Sequence, residues 1–296
     1  MKGKGTPNFG GLPKEFSGYE KAEIVVLPVP YDGTSTWIKG ADKGPKAILE
    51  ASANMELYDI DTDSQVCERG IFTDKPICAG TKMKPEKMVG EVEKKVAGHL
   101  GKGKFVVTLG GEHSVSVGAI KAHAEKYRGM CVLQLDAHTD LRQEYEGSKY
   151  SHACAMARAR EICPIVQAGI RSMAEEEKEF LANGKGGGKG NVFFAKDIAG
   201  KGGWQEKVVA LLAEKVYITI DLDVFDPSIM PSTGTPEPGG LGWYEVMELL
   251  QKATAEREVV GFDVVELCPT QHNRAPNFTA AKLVYQILSQ KFRGGK

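Results

Sequence analysis

Four aspartates and two histidines stand where apolar runs of this 296-residue chain end. Met130-Cys131-Val132-Leu133-Gln134-Leu135 leads into Asp136-Ala137-His138-Thr139-Asp140. In near-extended backbone, Asp136, His138 and Asp140 alternate onto one side of the chain. Read alone, the pentad could be a hydrophilic turn whose Asp and Thr cap a helix. The pattern recurs, however: Val216-Tyr217-Ile218-Thr219-Ile220 runs into Asp221-Leu222-Asp223, and Phe105-Val106-Val107-Thr108-Leu109 into Gly110-Gly111-Glu112-His113-Ser114. Four carboxylates crowded into one pocket would repel one another as anions, and two divalent cations would neutralise them. Carboxylate and imidazole ligands without thiolate suit manganese, with iron, cobalt or zinc as substitutes. A water shared by two such ions loses a proton near neutral pH and becomes a hydrolytic nucleophile.

Strands and helices alternating along the chain can position these residues. Strands are expected at Ile24 to Pro30, Ile71-Phe72, Phe105 to Leu109, Met130 to Leu135, Ile165 to Ile170, Val192 to Phe194, Val216 to Ile220 and Val259 to Val265. Helices are expected from Gly44-Pro45, over Pro85 to Leu100, after a Ser114 cap, over Ala153 to Ala159, Met173 to Leu181 and Trp204 to Leu212, from Trp243, and from near Asn277. Small residues Gly118, Ala119 and Ala122 should let the helix after Ser114 approach the sheet closely. Glu175, Glu176 and Glu177 suit a helix's first turns and need no function. The pattern implies a single α/β domain over residues 1–296, a three-layer α/β/α sandwich with a mainly parallel central sheet and right-handed crossovers. Such sheets bind ligands at the carboxyl edge of the strands, where the clusters fall. Residues 1–20, rich in Gly, Lys and Pro, are expected to form a flexible arm.

Charge is balanced, 38 Lys plus Arg against 39 Asp plus Glu, so no basic field points to nucleic acid or an anionic membrane. No apolar run reaches the roughly 20 residues that span a bilayer, and the N-terminus lacks a signal-peptide core. A cytoplasmic protein with a small-molecule partner is expected. The six cysteines form no Cys-x-x-Cys pair and are expected to pack as reduced thiols. Asn183 to Gly190 has only the composition of a phosphate loop, since Lys189 is followed by Gly190 rather than Ser or Thr. It reads as a surface loop.

Gly-Gly-Glu-His-Ser at 110–114, Asp-Ala-His-Thr-Asp at 136–140, Ser151-His152, Asp-Leu-Asp-Val-Phe-Asp-Pro at 221–227 and Val-Glu-Leu-Cys-Pro at 265–269 together resemble the ureohydrolases, the arginases and agmatinases. Residues 40–48 join the resemblance, which covers most of the chain. It implies an arginase-like fold and two manganese ions, one held by His113 and Asp140, the other by His138 and Asp223, with Asp136 and Asp221 bridging. It further implies that Asp140 aims the nucleophile, Glu266 pairs with the substrate guanidinium, and His152 shuttles a proton to the leaving amine. A homo-oligomer, trimer or hexamer, is implied by the same likeness.

Each residue also has a plainer reading. His152 could begin a helix without a role, and Glu266 could pair with Arg274. His99 and His123 are expected to be solvated, and His272 is given no role. Glu112 stands where arginases commonly have Asp and would support the ligands from behind. The loop Leu141 to Tyr150 lacks the Asn- and Thr-rich pattern by which arginases read the amino acid and resembles agmatinases instead. Glu144 and Glu146 could favour the amine end of agmatine, which would be cleaved to putrescine and urea. Other guanidines (arginine, guanidinobutyrate, aminopropylagmatine), a formiminoglutamase with Arg142 reading a carboxylate, and a non-catalytic metal-binding regulator are the alternatives.

Overall fold

A computed structural model describes residues 7–77, 83–184 and 191–294. Eight strands form one parallel sheet in the order β2-β1-β3-β8-β7-β4-β5-β6. They are β1 (Ile24–Val29), β2 (Ile71–Thr73), β3 (Phe105–Gly110), β4 (Cys131–Leu135), β5 (Ile165–Ile170), β6 (Val192–Phe194), β7 (Lys215–Asp221) and β8 (Glu258–Val265). All eight expected strands are present. The later strands β7 and β8 turn back to sit between β4 and β3, so the neighbours β3 and β8, like β4 and β7, lead to helices on opposite faces of the sheet. Ligand crevices of doubly wound sheets open at such points.

Strand burial is nearly continuous because helices cover both faces. On one face Ile24, Leu133, Ile218, Ile220 and Phe262 pack against α2 (Gly44–Ser52), α8 (Trp204–Ala210), α9 (Trp243–Glu256) and α10 (Ala275–Lys291). On the other, Leu27, Val29, Val106 and Val132 pack against α3 (Pro85–Gly101), α4 (Val115–Lys126), α5 (Ala155–Arg160) and α6 (Glu175–Ala182). The remaining helices are the short α1 (Lys14–Ser17) and α7 (Ala195–Ile198). No helix among the described residues is long and apolar enough to cross a membrane.

Several expectations are corrected. Residues 7–20 are not a loose arm: Phe9 is fully buried in the core, and the backbone N–H of Gly10 donates to Ser52 Oγ at 2.9 Å. Residues 1–6 lie outside the described residues, as do most of the glycine-rich loop (185–190) and Cys78. Ser114 does not cap α4; its hydroxyl donates to Glu112 Oε1 at 2.5 Å. Gly118 serves a helix rather than the sheet, since a Cβ there would lie 2.4 Å from the Val89 carbonyl oxygen of α3. His99 and His123 are buried. His99 lies between Asp74 and Tyr19, and His123 Nδ1 donates to the Ala119 carbonyl of its own helix at 2.7 Å. Cys67, Cys131, Cys154, Cys163 and Cys268 are free and buried.

Candidate metal centre

The four central strands β3, β8, β7 and β4 end side by side, so residues far apart in sequence converge at their carboxyl edge. His113 follows β3, Glu266 follows β8, Asp221 and Asp223 close β7, and Asp136, His138 and Asp140 follow β4. The structure brings all six expected ligands together. His113, Asp136 and Asp140 form one group and Asp136, His138 and Asp223 another, with the ligand atoms of each within 4.8 Å of one another. Asp136 is common to both. His113 Nδ1 lies 3.0 Å from Asp136 Oδ2, 3.0 Å from Asp140 Oδ2 and 3.5 Å from Asp221 Oδ2. His138 Nδ1 lies 3.0 Å from Asp223 Oδ2.

The pentad reaches this geometry by a different route than an extended strand. Pairing with β5 continues past β4, as the Arg171 and Ser172 amides donate to the Ala137 carbonyl. At Asp140 the backbone turns to φ +52°, and its carbonyl accepts from the amides of Met156 and Ala157 in the first turn of α5. Glu266 is likewise at φ +66°, a region costly to residues with a Cβ and tolerated where surrounding contacts impose it. Its amide donates to the Gly111 carbonyl at 2.7 Å, while its Oε1 accepts from the His113 amide at 2.8 Å. Gly111 must be glycine, because a Cβ would collide with the Tyr31 carbonyl oxygen at 1.9 Å. The alternative pairing of Glu266 with Arg274 is not what the structure shows.

The protonation energetics reflect the crowding. Burial opposes a charged His113, but Asp136, Asp140 and Asp221 outweigh it and raise its pKa well above the usual value. Burial also works against a charged His138, and the charge of Asp223 with the hydrogen bonds of Asp136 and Asp223 pushes it up to about 12. Asp140 is raised to about 6 by burial and by the Asp136 charge. Asp221 is raised well above the usual range by burial, then by Asp223 and Asp136. Without cations, the imidazolium protons are what hold these carboxylates together.

The donor set fits divalent cations on a specific observation. His113 Nδ1 is buried, faces three carboxylates and makes no hydrogen bond of acceptable geometry. Behind the ring, Nε2 meets Thr219 Oγ1 at 2.9 Å, and Thr219 donates its hydroxyl proton to Asp263 Oδ1 at 2.7 Å. The Thr219 oxygen then accepts from Nε2–H, so Nδ1 is the nitrogen left to ligate once the imidazolium gives up its second proton.

Thr219 belongs to a row of polar residues the sequence reading missed. Thr108, Asp263, Thr219, Gln134 and Gln167 are in register across β3, β8, β7, β4 and β5. Gln134 Nε2 donates to Asp136 Oδ2 at 2.6 Å, and Gln167 Nε2 donates to the Thr139 carbonyl at 2.9 Å. The signal was one polar residue inside each apolar strand, which needs a buried partner. Glu177 was also misjudged: it is buried, and its Oε1 accepts from Thr139 Oγ1 at 2.6 Å and from the Leu141 amide at 2.8 Å, fixing the end of the pentad. Arg171, whose guanidinium donates to the Asp223 carbonyl at 2.6 Å and the Glu237 carbonyl at 2.8 Å, carried no sequence signal.

A cleft of about 310 Å³ opens above the cluster, lined by His113, His138, Asp140, His152 and Glu266 together with Trp37, Arg142 and Tyr145. The pKa of His152 is lowered to about 4, by burial first and then by the neighbouring charges of His113 and His138. Glu144 and Glu146 are exposed and do not line this cleft. Glu237 Oε1 lies 3.8 Å from His138 Nε2. His272 is exposed and away from the lining.

Known proteins place this arrangement. The family model described as "Arginase family" matches residues 22–289. The N(1)-aminopropylagmatine ureohydrolase of Thermus thermophilus is 41% identical over 92% of each chain. The agmatinase of Pyrococcus horikoshii is 32% identical, covering 92% of this chain and 93% of its own. The crystal structure of agmatine ureohydrolase from Thermoplasma volcanium superposes with a TM-score of 0.84 at 32% identity, over 95% of this chain and 93% of that one. The match to the family model over residues 22–289, the identity along nearly the whole length and the shared fold show that the chain belongs to the arginase family, the ureohydrolases.

Proposed function

We propose that the chain hydrolyses the guanidinium group of agmatine, a small guanidine without a carboxylate, to urea and putrescine. The reaction adds one water across the C–N bond and leaves urea and an ammonium-ended product. The observation that carries this reading is Nδ1 of His113, buried within 3.0–3.5 Å of three carboxylates, at the floor of a cleft walled by His152 and Glu266. Two divalent cations, manganese by the donor set, would be held by His113, Asp136, His138, Asp140, Asp221 and Asp223 and would supply Lewis acidity that brings a shared water's pKa near neutrality.

The chain's own residues do the rest. Glu266, anchored through one oxygen by the His113 amide, turns the other toward the cleft wall near Gly234 and pairs with the planar guanidinium. Asp140 accepts a hydrogen bond from the attacking water and so directs it to the guanidinium carbon. His152 takes up the proton that the attacking water releases and passes it to the leaving nitrogen, without which an amine anion would have to depart. A substrate carboxylate finds little welcome, because Arg142 is already paired with Glu176 at 2.9 Å and stacked on Tyr145. This disfavours arginine and formiminoglutamate.

Aminopropylagmatine is the second reading. It is favoured by the higher identity to the Thermus ureohydrolase and by a cleft whose rim carries the exposed Trp37, able to stack against a longer ammonium-bearing tail. Urea release from manganese-loaded protein offered agmatine, aminopropylagmatine, guanidinobutyrate and arginine, with a chelated control, tests both. Urea from agmatine above all supports the first reading and urea from aminopropylagmatine the second. No metal-dependent urea from any of the four would remove ureohydrolysis.

A further inference from the structure

The loop after β1 reaches over the site and touches His152. Thr34 Oγ1 donates to Glu112 Oε2 at 2.8 Å, accepts from the His152 amide at 2.9 Å, and lies 3.2 Å from His152 Nδ1. Glu112 is fully buried, and Ser114 occupies its other oxygen, Oε1, at 2.5 Å. The loop carrying Thr34 is itself pinned: the buried carboxylate of Asp32 accepts from the Gly40 amide at 2.6 Å, the Ala41 amide at 3.2 Å and the Ser35 hydroxyl.

A threonine hydroxyl has one proton to give, and a carboxylate is the stronger acceptor. Committed to Glu112, Thr34 can offer Nδ1 only a lone pair, so their contact is a hydrogen bond when Nδ1 carries the hydrogen. The Ser151 hydroxyl, also 3.2 Å from Nδ1, can accept from the same hydrogen. With Nδ1 so engaged, Nε2 is the nitrogen of His152 left to take up and release the exchanged proton. The same arrangement, imidazole N–H to threonine to buried carboxylate, stands behind His113 through Thr219 and Asp263. There it bares the opposite nitrogen.

We propose that Thr34 and Glu112 are positioning residues for His152, fixing its ring and its Nδ1–H tautomer so that Nε2 faces the substrate's leaving nitrogen. The role of His152 in this statement rests on the proposed ureohydrolase reading, whereas the tautomer does not. Glu112 thus supports the proton donor rather than a metal ligand.

Two measurements test it. In steady-state urea release, Thr34→Val should lower kcat at least about 10-fold, a part of the 10²–10⁴ that a placed acid contributes, with KM within about twofold and two metals per chain retained. Thr34→Ser should recover most of the loss. Combined with His152→Ala, Thr34→Val should cost nothing further. Full additivity of the two losses, or an unchanged kcat in Thr34→Val, overturns the proposal. Independently of turnover, imidazole ¹⁵N spectra of the zinc-loaded chain, assigned with His152→Ala, should show His152 protonated on Nδ1. Thr34→Val and Glu112→Gln should shift it toward mixed tautomers. An Nε2–H tautomer in the unsubstituted protein overturns the relay. An Nδ1–H signal in a protein releasing no urea would uphold the positioning and sink only the proposed reaction.

Discussion

Two buried histidines in this molecule face aspartates at hydrogen-bond range, and they differ in what surrounds the second nitrogen. His99 is closed on both sides: Nε2 meets Asp74 Oδ2 at 2.7 Å, Nδ1 meets the Tyr19 hydroxyl at 3.0 Å, and Lys95 Nζ balances Asp74 at 2.9 Å. His113 faces three carboxylates with no ammonium beside them, and its Nδ1 has no hydrogen bond. The first cluster is neutralised by the chain itself. The second carries negative charge that only imported cations, or protons on the imidazoles, can compensate. Proximity of His to Asp is therefore a poor mark of a metal centre; surplus charge with a bare nitrogen is a good one.

The contrast can be broken most forcefully at Asp136, shared by both ligand groups. Asp136→Asn should reduce bound manganese below two per chain, as read by elemental analysis, and should cost activity more than the roughly 10–100-fold of a supporting change. Full metal content in that variant would remove Asp136 from the centre. One layer back, Thr219→Val deprives His113 Nε2 of its acceptor and should weaken metal affinity by about 10–100-fold, measured by competition with a chromophoric chelator. An unaltered affinity would make the polar row a packing feature.

Acidity sharpens the comparison next. In the metal-free chain His113 and His138 are held charged, His138 up to a pKa of about 12, and ligation requires both neutral. Metal binding must therefore release protons, and apparent affinity must rise with pH across the neutral range. Calorimetry in two buffers of different ionisation enthalpy counts those protons, and a count of zero would contradict the arrangement. The smallest effect belongs to the closed cluster. His99→Gln should leave metal content and kcat unchanged while lowering stability by on the order of 1–2 kcal/mol for the lost hydrogen bonds, read by urea denaturation. A drop in metal content there would erase the distinction.

All eight strands were legible because a sheet covered on both faces writes itself as short apolar runs, and the six candidate ligands because each follows such a run. The resemblance to the ureohydrolases needed only their order. Burial was less legible where polar side chains satisfy one another. His99 and His123 read as solvated because Asp74, Tyr19 and the Ala119 carbonyl were not foreseeable partners. Glu177 read as a helix-dipole acid because the Thr139 hydroxyl it meets is 38 residues away.

The sequence by itself determined the element types, the ligand chemistry and the family, since all three are carried by residue identity and local periodicity. Only the tertiary structure decided that β8 and β7 insert between β3 and β4, which brings His113 within 3.0 Å of Asp136 and Asp140. It also decided which strand polar residues share one rung, and that a loop threonine 118 residues from His152 orients its ring. Hydrogen bonds act over about 3 Å and in fixed directions. Their partners are chosen by packing between distant segments, which no local pattern encodes.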